Sequence, residues 1–347
     1  MNATQARQRN MERLKALYSP IEPGQKATVG PFRPEDAQGV SLLYYAIYGD
    51  KFPLDYVYDP KLVTEANAGP DLYQYVARTE RGDIVGVSAL FRVAPFQGIM
   101  ETGGLMVLPD YRTGTLAFRL NKATSDTLPR ELNLHAVYGQ SVCDHTAVQK
   151  MIRLQKCEVF GLEMEAMPAR PERNEGWAPG RISLLNAMLI LRDVPHVVHL
   201  PEAYADFLLG RYAATGLQRE IGPAALLEGT TRSSVKDSKE ADLVKLIVEE
   251  PGADMAGVLD AFESEFSGRH IRQVHLPLAC PGLDQAVNLA RERGFFLGGV
   301  LPLWTGSDVF FLQKLRTAPD FDRPRLLSDD SKALRDRIAA DWKQTAS

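Results

Sequence analysis

The sequence predicts an α/β protein whose mixed sheets form two domains in tandem. Strand-like runs rich in branched and aromatic residues alternate with segments of helical period along the chain. With 347 residues, the chain exceeds one typical domain and fits two. The order strand, helix, strand, strand closes both halves at similar lengths, which indicates a divergent internal duplication.

The first half opens with helices and a short strand. Residues 4–18 carry apolar side chains at helical spacing and precede the breaker-rich linker SPIEPGQK. A strand at 27–32 meets a proline and two acids at 34–36, which open a helix to about Tyr48. Tyr58-Asp59-Pro60 is expected to begin a shorter helix that ends near Gly69.

Three consecutive strands and a helix–strand alternation complete the first half. The third of these strands contains Gly103-Gly104, which predicts a β-bulge. The strands are expected at 72–79, 84–91, 99–108, 134–142, 157–166 and 182–191, the helices at 113–127 and 145–155. The Pro/Gly-rich MPARPERNEGWAPGR is expected to be a loop.

The second half repeats this alternation and ends in a helix. Its two last strands contain apolar runs at Phe295-Phe296 and Phe310-Phe311-Leu312, which suit strands buried on both faces. The expected elements are helices at 202–212, 253–266 and 283–293 and strands at 241–249, 271–279, 295–301 and 309–315. The resulting domains are 1–26 (helix and linker), 27–194, 195–317 and 318–347 (tail helix).

Composition narrows the class of partner. The net charge of −4 provides no basic field for nucleic acid or an anionic membrane, so neither is expected as a partner. Three scattered cysteines fit a reducing compartment, and the polar N-terminus lacks the apolar core of a signal peptide. No apolar stretch is long enough to span a bilayer. We therefore expect a soluble, cytoplasmic protein.

One segment carries a chemical motif. A strand ends in proline, and a turn with arginine and glycine runs directly into a helix, whose first N–H groups and positive dipole end suit a pyrophosphate. Small residues there allow phosphates to approach the backbone. The segment consists of Met106, Val107, Leu108, Pro109, Asp110, Tyr111, Arg112, Thr113, Gly114, Thr115, Leu116 and Ala117.

This segment resembles the GCN5-related N-acetyltransferases, whose signature is V-x-P-x-Y-R before the pyrophosphate loop. The loop of that family reads Arg or Gln, x, x, Gly, x, Gly or Ala. Here Thr115 stands at the first glycine of that pattern, with Gly114 one position early. The resemblance implies two tandem acyl-CoA N-acyltransferase-like domains, the second degenerate, and acetyl-CoA or another acyl-CoA as co-substrate. The segments YYAIYGDKFPLDYVYDP and GFFLGGVLPLW also look like a tandem branch of this superfamily.

The resemblance also implies catalytic positions. The pantetheine arm would lie beside the bulged strand, where main-chain N–H groups polarise the thioester carbonyl. Glu101 lies upstream of the bulge, where the family often keeps its base; an outward-facing strand glutamate is the alternative. In that family, a tyrosine on the helix after the fifth strand often donates a proton to the departing thiolate of CoA. Here Ile152 stands about where that tyrosine would be. His145 or Cys143 could replace it, the thiolate could leave unaided, or the site could be non-catalytic.

An aromatic stretch near the N-terminus is the candidate acceptor pocket. By resemblance, the first helices line that pocket, and aromatic rings with acids suit a cationic amine. We take Tyr44, Tyr48 and Tyr56 as substrate-binding residues, with the alternative that the stretch is half core and half solvated loop. His196 and His199, like His270 and His275, lack further ligands for zinc, so no metal is expected.

The resulting interpretation is an enzyme that acylates a small-molecule amine in its N-terminal domain. The alternative is a non-catalytic module that keeps the fold and binds CoA or a partner for regulation. A homodimer stays open. The second domain is expected to bind no CoA, because Glu249, Glu250 and Asp254 surround the corresponding helix start and would repel a pyrophosphate. It is expected instead to pack on the first domain and help to close the acceptor cleft.

Overall fold

A computed structural model describes residues 3–169 and 180–345. Contacts between Cα atoms divide the chain into two compact units. The first comprises Met1–Val93 and Met100–Val137, and the second comprises Ala94–Ile99 and Tyr138–Ser347. Both units combine helices with strands, and parallel and antiparallel pairings occur, so the predicted mixed α/β class is confirmed. Residues 170–179 of the expected loop lie outside the described residues.

The elements of the first unit follow the predicted order closely. They are α1 (Ala3–Leu17), β1 (Ala27–Pro31), α2 (Ala37–Tyr48), α3 (Pro60–Ala68), β2 (Leu72–Thr79), β3 (Ile84–Phe91), β4 (Ile99–Val107), α4 (Leu116–Lys122) and α5 (Leu128–Glu131). Short 3-10 turns occupy 34–36, 55–58 and 109–111, and a π-helical turn at 123–127 joins α4 to α5. Ile99 alone of β4 belongs to the second unit.

Strands β1 to β4 form an antiparallel sheet in chain order, and each face has its own core. On one face, Leu14 of α1, Leu43 of α2 and Val63 of α3 belong to one core with Val76 and Met106 of the strands. On the other face, α4 packs Leu120 against Ala77, Val85 and Val107. The alternation of side chains along each strand supplies both cores, as the period-two pattern requires.

The predicted bulge in β4 is confirmed. Val87 pairs with Met106 and Ala89 with Gly103, so two steps along β3 match three along β4. Gly104 takes up the extra residue with φ of +60°, a conformation that side-chain-bearing residues adopt at a cost. Gly103 and Gly104 therefore stand together without side chains in the middle of β4.

Helix α4 begins at Leu116, later than the position 113 expected from the sequence. Residues 109–111 form a 3-10 turn, and the short polar Thr113-Gly114-Thr115 continues as non-helical chain. Threonine and glycine are weak helix formers, and Thr115 at the N-cap makes no side-chain capping hydrogen bond. The turn before the helix is consequently longer and more open than predicted.

The second unit contains the remaining elements. They are β5 (Ala136–Val142), α6 (Ala147–Leu154), β6 (Glu158–Met167), β7 (Ile182–Ile190), β8 (His196–Val198), α7 (Ala205–Thr215), β9 (Arg219–Ile221), β10 (Arg232–Ser238), β11 (Leu243–Glu250), α8 (Met255–Glu265), β12 (Ile271–Pro277), α9 (Leu283–Arg291), β13 (Phe296–Leu301), β14 (Val309–Leu315) and α10 (Asp329–Thr345). The first two residues of β5 belong to the first unit.

The sheet of this unit contains the same arrangement twice. Its strand order is β5-β7-β6-β13-β14-β12-β11-β10. Strand β5, helix α6 and the hairpin β6–β7 match strand β12, helix α9 and the hairpin β13–β14, and in both the last strand lies beside the first. The two copies meet where Gly161 of β6 pairs with Gly299 of β13. A Cβ on Gly299 would lie 2.4 Å from the Gly161 Cα atom, so glycine is required there.

Three strands of this unit were not predicted. Strands β8 and β9 form a separate two-stranded parallel sheet, and each has only three residues, too few for a visible alternation. Strand β10 lies at the edge of the large sheet, and six of its seven residues are exposed. An exposed edge strand carries polar residues on both faces, so it lacks the apolar period used to find strands.

Among the described residues, no helix combines the length and the apolar character needed to cross a membrane.

Candidate functional site

The turn that follows β4 is anchored by Tyr111. This side chain is buried, and its hydroxyl donates to the backbone oxygen of Glu22 in the linker after α1, at 2.5 Å. The Tyr111 N–H donates to Leu108 O at 2.9 Å and closes the 3-10 turn. The chain is thereby held at the start of the loop, while residues 112–115 are exposed.

The backbone N–H groups of residues 113–118 form a row of available donors. No described residue accepts a hydrogen bond from any of them, and the first helical bond runs from Arg119 N to Thr115 O. A helix always begins with unpaired N–H groups; here the row starts three residues before α4. A Cβ on Gly114 would have no atom within 4 Å, so the space beside the row is open. Such a row favours an anion with several oxygen atoms.

Arg112 adds a positive charge beside these donors. Its Nε donates to Val107 O at 2.9 Å, which turns the side chain back toward the end of β4. Within the described part of the chain, neither Nη1 nor Nη2 of Arg112 has a partner. An exposed guanidinium with two free nitrogens suits a phosphate group.

Glu101 and the bulge lie on one face of the sheet. Glu101 pairs with Phe91 of β3, and its Oε1 lies 3.9 Å from where a Cβ on Gly103 would be. On the same face, the Tyr44 hydroxyl lies 3.6 Å from where a Cβ on Gly104 would be. A carboxylate and a phenol therefore flank the two glycines.

The opposite face of β4 is held by hydroxyl groups. The Thr124 Oγ1, in the π-helical turn, lies 3.0 Å from Thr102 Oγ1 and 2.8 Å from Ser88 Oγ. Thr124 and Ser88 are fully buried. These bonds connect β3, β4 and the helix directly beside Glu101, so they fix the strand at the point where the bulge begins. Single-turn π-bulges in helices are frequent at functional sites.

The aromatic stretch divides between core and surface. Tyr44 and Tyr58 are fully buried, whereas Tyr48, Phe52 and Tyr56 are half-buried around them. The Tyr44 ring stacks on Tyr48 with centroids 6.3 Å apart and meets Phe52 edge-on at 4.8 Å. Burial, followed by the neighbouring phenols of Tyr56 and Tyr48, raises the pKa of Tyr44 far above its ordinary value.

Helix α1 holds the loop that carries these rings. Arg7 donates to the backbone oxygens of Asp50 and Phe52, at 2.6 and 2.7 Å, and forms an ion pair with Asp55. Its guanidinium also lies 4.9 Å from the ring centroid of Tyr58. The clamp joins positions about fifty apart in sequence, so no local pattern could reveal it.

Two of the acids interleaved with the rings are therefore engaged within the protein. Asp55 is paired with Arg7, and Asp59 caps α3 by accepting from Lys61 N at 3.0 Å and from Asn10 Nδ2 at 3.3 Å. Asp55 and Asp59 therefore offer little negative charge to a cationic acceptor. Glu101, on β4, is the carboxylate beside the bulge.

The other candidate acid groups lie in the second unit, before α6. His145 Nδ1 accepts from Ala147 N at 3.2 Å, which satisfies a donor at the start of that helix. Cys143 is buried, and burial raises its pKa to about 12, so it remains a thiol at neutral pH. Within the described residues, no group of three or more His, Cys, Asp or Glu side chains could hold a metal ion.

The turn before helix α8, which the sequence offers as the nearest counterpart of the loop at 112–117, is covered by backbone. The N–H groups of Gly252 and Ala253 donate to Thr231 Oγ1 and Gly229 O, at 2.9 and 3.0 Å. A Cβ on Gly252 would lie 2.5 Å from the Thr230 carbonyl carbon, so backbone covers this face of the turn. Asp254 Oδ1 accepts from Thr231 N at 2.7 Å. Two of the N–H groups at this helix start are thus occupied, whereas those of 113–118 are available.

Comparisons with known proteins give structural likeness only. No protein-family model and no curated protein matches the chain. Solved structures similar to it include a mutant spermidine/spermine N-acetyltransferase of Vibrio cholerae (14% identity, 48% of this chain and 95% of that one, TM-score 0.37). They also include a ribosomal-protein-alanine N-acetyltransferase of Brucella melitensis (18%, 47% and 99%, TM-score 0.38). A third is yncA of Salmonella typhimurium, solved with its cofactor acetyl-CoA (18%, 49% and 96%, TM-score 0.37). At these identities and TM-scores, likeness assigns no activity.

Proposed function

We propose that this chain is an acyl-CoA-dependent acyltransferase whose donor site lies on the segment Met106–Ala117. The observation that carries the proposal is the row of unpaired N–H groups at 113–118, next to the partly free guanidinium of Arg112. A diphosphate offers several negative oxygens, and this row with one cation matches it in charge and in donor number. Gly114, which has open space around it, lets the phosphates approach the backbone.

The bulge in β4 is the proposed site of the reaction. Main-chain N–H groups at a bulge are diverted from regular pairing, and Gly104 and Leu105 have no partner residue in β3. Such groups can stabilise the negative charge that develops on a thioester oxygen. Glu101, on the same strand, is the proposed base that takes the proton of the attacking amine.

The acceptor is proposed to be a small-molecule amine that binds against Tyr44, Tyr48 and Tyr56. The half-buried rings offer apolar and cation–π surface, while Arg7 and the α3 cap occupy two nearby acids. This favours an acceptor with one amine and an apolar body over one with several charges.

The proposed arrangement is tandem, with domains at 27–194 and 195–317 and only the first binding CoA. The repeated strand order inside the second unit supports a duplication, and the closed helix start at Gly252 supports a copy without a donor site. A cytoplasmic location is the part of the proposal that rests on the sequence alone.

A non-catalytic CoA-binding module is the second candidate. It is favoured by helix α6, Ala147–Leu154, which contains no tyrosine, and by Cys143, whose burial keeps it a thiol. Neither helix α6 nor Cys143 therefore offers a group that would donate a proton to the departing thiolate.

Steady-state turnover of acetyl-CoA with a panel of primary amines separates the two candidates. We expect release of free CoA thiol that depends on both substrates. Calorimetric CoA binding without turnover of any amine would favour the binding module, and absence of CoA binding at millimolar ligand would refute both.

A further inference from the structure

The phenol of Tyr44 combines burial with an unsatisfied hydroxyl. Its side chain is 2% exposed, yet no described residue forms a hydrogen bond with its hydroxyl group. The hydroxyl oxygen keeps contact with solvent, unlike the enclosed and unpartnered hydroxyl oxygens of Ser41 and Tyr212. A ligand or a water can therefore reach it and be its partner.

The direction of this hydroxyl identifies where such a ligand would lie. The oxygen is 3.6 Å from where a Cβ on Gly104 would be, and Gly104 itself is exposed. With glycine at 103 and 104, bare backbone separates the Tyr44 hydroxyl from the Glu101 carboxylate. The packing of the ring against Tyr48 and Phe52 fixes the hydroxyl in this direction.

We propose that Tyr44 is a catalytic residue whose hydroxyl donates a hydrogen bond to the acyl oxygen held at the β4 bulge. This inference rests on the proposed function, because it takes the bulge as the place of the thioester. It gives the oxygen a side-chain donor in addition to the main-chain N–H groups of the bulge. Two preorganised donors are the usual composition of an oxyanion hole.

The step balances without any further reactant. The amine nitrogen forms a bond to the carbonyl carbon, and the C=O π electrons move to the oxygen, where Tyr44 and the bulge stabilise the charge. Glu101 takes the proton that the amine loses. When the C=O bond re-forms, the C–S bond breaks, and CoA leaves as a thiolate that takes a proton from solvent.

The environment of Tyr44 suits a donor that keeps its proton. Burial, with the phenols of Tyr56 and Tyr48, raises the pKa of Tyr44, so the hydroxyl stays neutral over the working range of an enzyme. It can therefore stabilise an oxyanion as a neutral hydrogen-bond donor.

The test compares Tyr44→Phe with Tyr45→Phe, using acetyl-CoA and the best amine of a panel that includes tyramine and spermidine. Both variants remove one phenol hydroxyl from α2, but Tyr45 packs on Tyr18, with centroids 5.7 Å apart. We expect Tyr44→Phe to lower kcat about 10–10³-fold with KM for acetyl-CoA nearly unchanged, and Tyr45→Phe to keep wild-type kcat. In Tyr44→Phe, kcat should be lower at every pH while both limbs of the kcat–pH profile remain. Its Tm should equal that of the wild type, because the hydroxyl has no protein partner to lose.

A second variant, Gly104→Ala, places a methyl group 3.6 Å from the Tyr44 hydroxyl in a strained backbone conformation. We expect it to abolish turnover while CoA binding persists. If the wild type is active and Tyr44→Phe has the same kcat, the role of Tyr44 is overturned while the proposed function stands. The Tyr44 hydroxyl would then bind water. Loss of the alkaline limb in Tyr44→Phe would show proton transfer and overturn the neutral-donor role. A wild type that neither binds CoA nor releases thiol would overturn the proposed function and this inference together.

Discussion

Replacing Arg112 by alanine tests how the exposed loop holds a diphosphate. The Nε of Arg112 is occupied by Val107 O at 2.9 Å, so two nitrogens are left for a ligand. A hydrogen bond to a charged group contributes roughly 1.5–3 kcal/mol, and screening at an exposed site reduces it to about 1–2 kcal/mol. At 1.4 kcal/mol per tenfold change, Arg112→Ala should raise the Kd for CoA about 5–30-fold.

The assay is isothermal titration calorimetry with CoA and, separately, with pantetheine. The Arg112→Ala effect should appear with CoA and vanish with pantetheine, which lacks the pyrophosphate. It should also shrink as salt is added, because exposed charges are screened over about 10 Å at 0.1 M. Arg130→Ala is the matched control, since Arg130 is exposed on α5 and pairs with Asp126 at 2.7 Å. A Kd for CoA within twofold of wild type, or equal weakening for both ligands, would refute the reasoning.

The remaining predictions concern the base, its support and the second unit. Glu101→Gln should lower kcat about 10²–10⁴-fold and remove the acidic limb of its pH profile; an unchanged rate and limb would place the base elsewhere. Thr124→Val, which removes the hydroxyl that joins β3, β4 and the helix, should lower both Tm and kcat, whereas unchanged values would mean that the bulge is held without it. Glu163 accepts from Gln273 Nε2 at 2.7 Å and lies 3.4 Å from Lys245 Nζ. Burial alone would raise its pKa, but Lys245 and the hydrogen bonds hold it below the ordinary 4.5. A carboxyl with a lowered pKa stabilises the fold at neutral pH, and this stability is lost as the pH falls through the pKa of the folded state. In urea titrations, Glu163→Gln should lower the free energy of unfolding by about 1–3 kcal/mol at pH 7 and by progressively less below pH 4.5. An equal cost at pH 7 and pH 3 would contradict that assignment.

Strand bounds were predictable where a clear turn lies beside the strand. The strands at 72–79 and 84–91 agree at both ends with the structure, because the turn at Gly82 separates them. The bulge followed from Gly103-Gly104, since φ above zero is available to glycine. Edge strand β10 was missed because its side chains are exposed on both faces.

The site depended more on tertiary contacts, which no local pattern encodes. The sequence indicated Glu101 and the loop at 112–117, because a carboxylate can act as a base and an Arg/Gly turn before a helix can bind a pyrophosphate. It did not indicate that Arg7 would neutralise Asp55, 48 positions away, or that the Tyr44 hydroxyl would point at Gly104. The late start of α4 was equally hidden, although Thr113-Gly114-Thr115 are the weak helix formers that cause it.

A crystal structure of the chain with acetyl-CoA tests the central claim most directly. The account predicts one cofactor molecule, with its diphosphate oxygens within hydrogen-bond distance of the N–H groups of 113–118 and Arg112 on a phosphate. A diphosphate bound away from this row, or a second molecule ordered against residues 250–256, would contradict it.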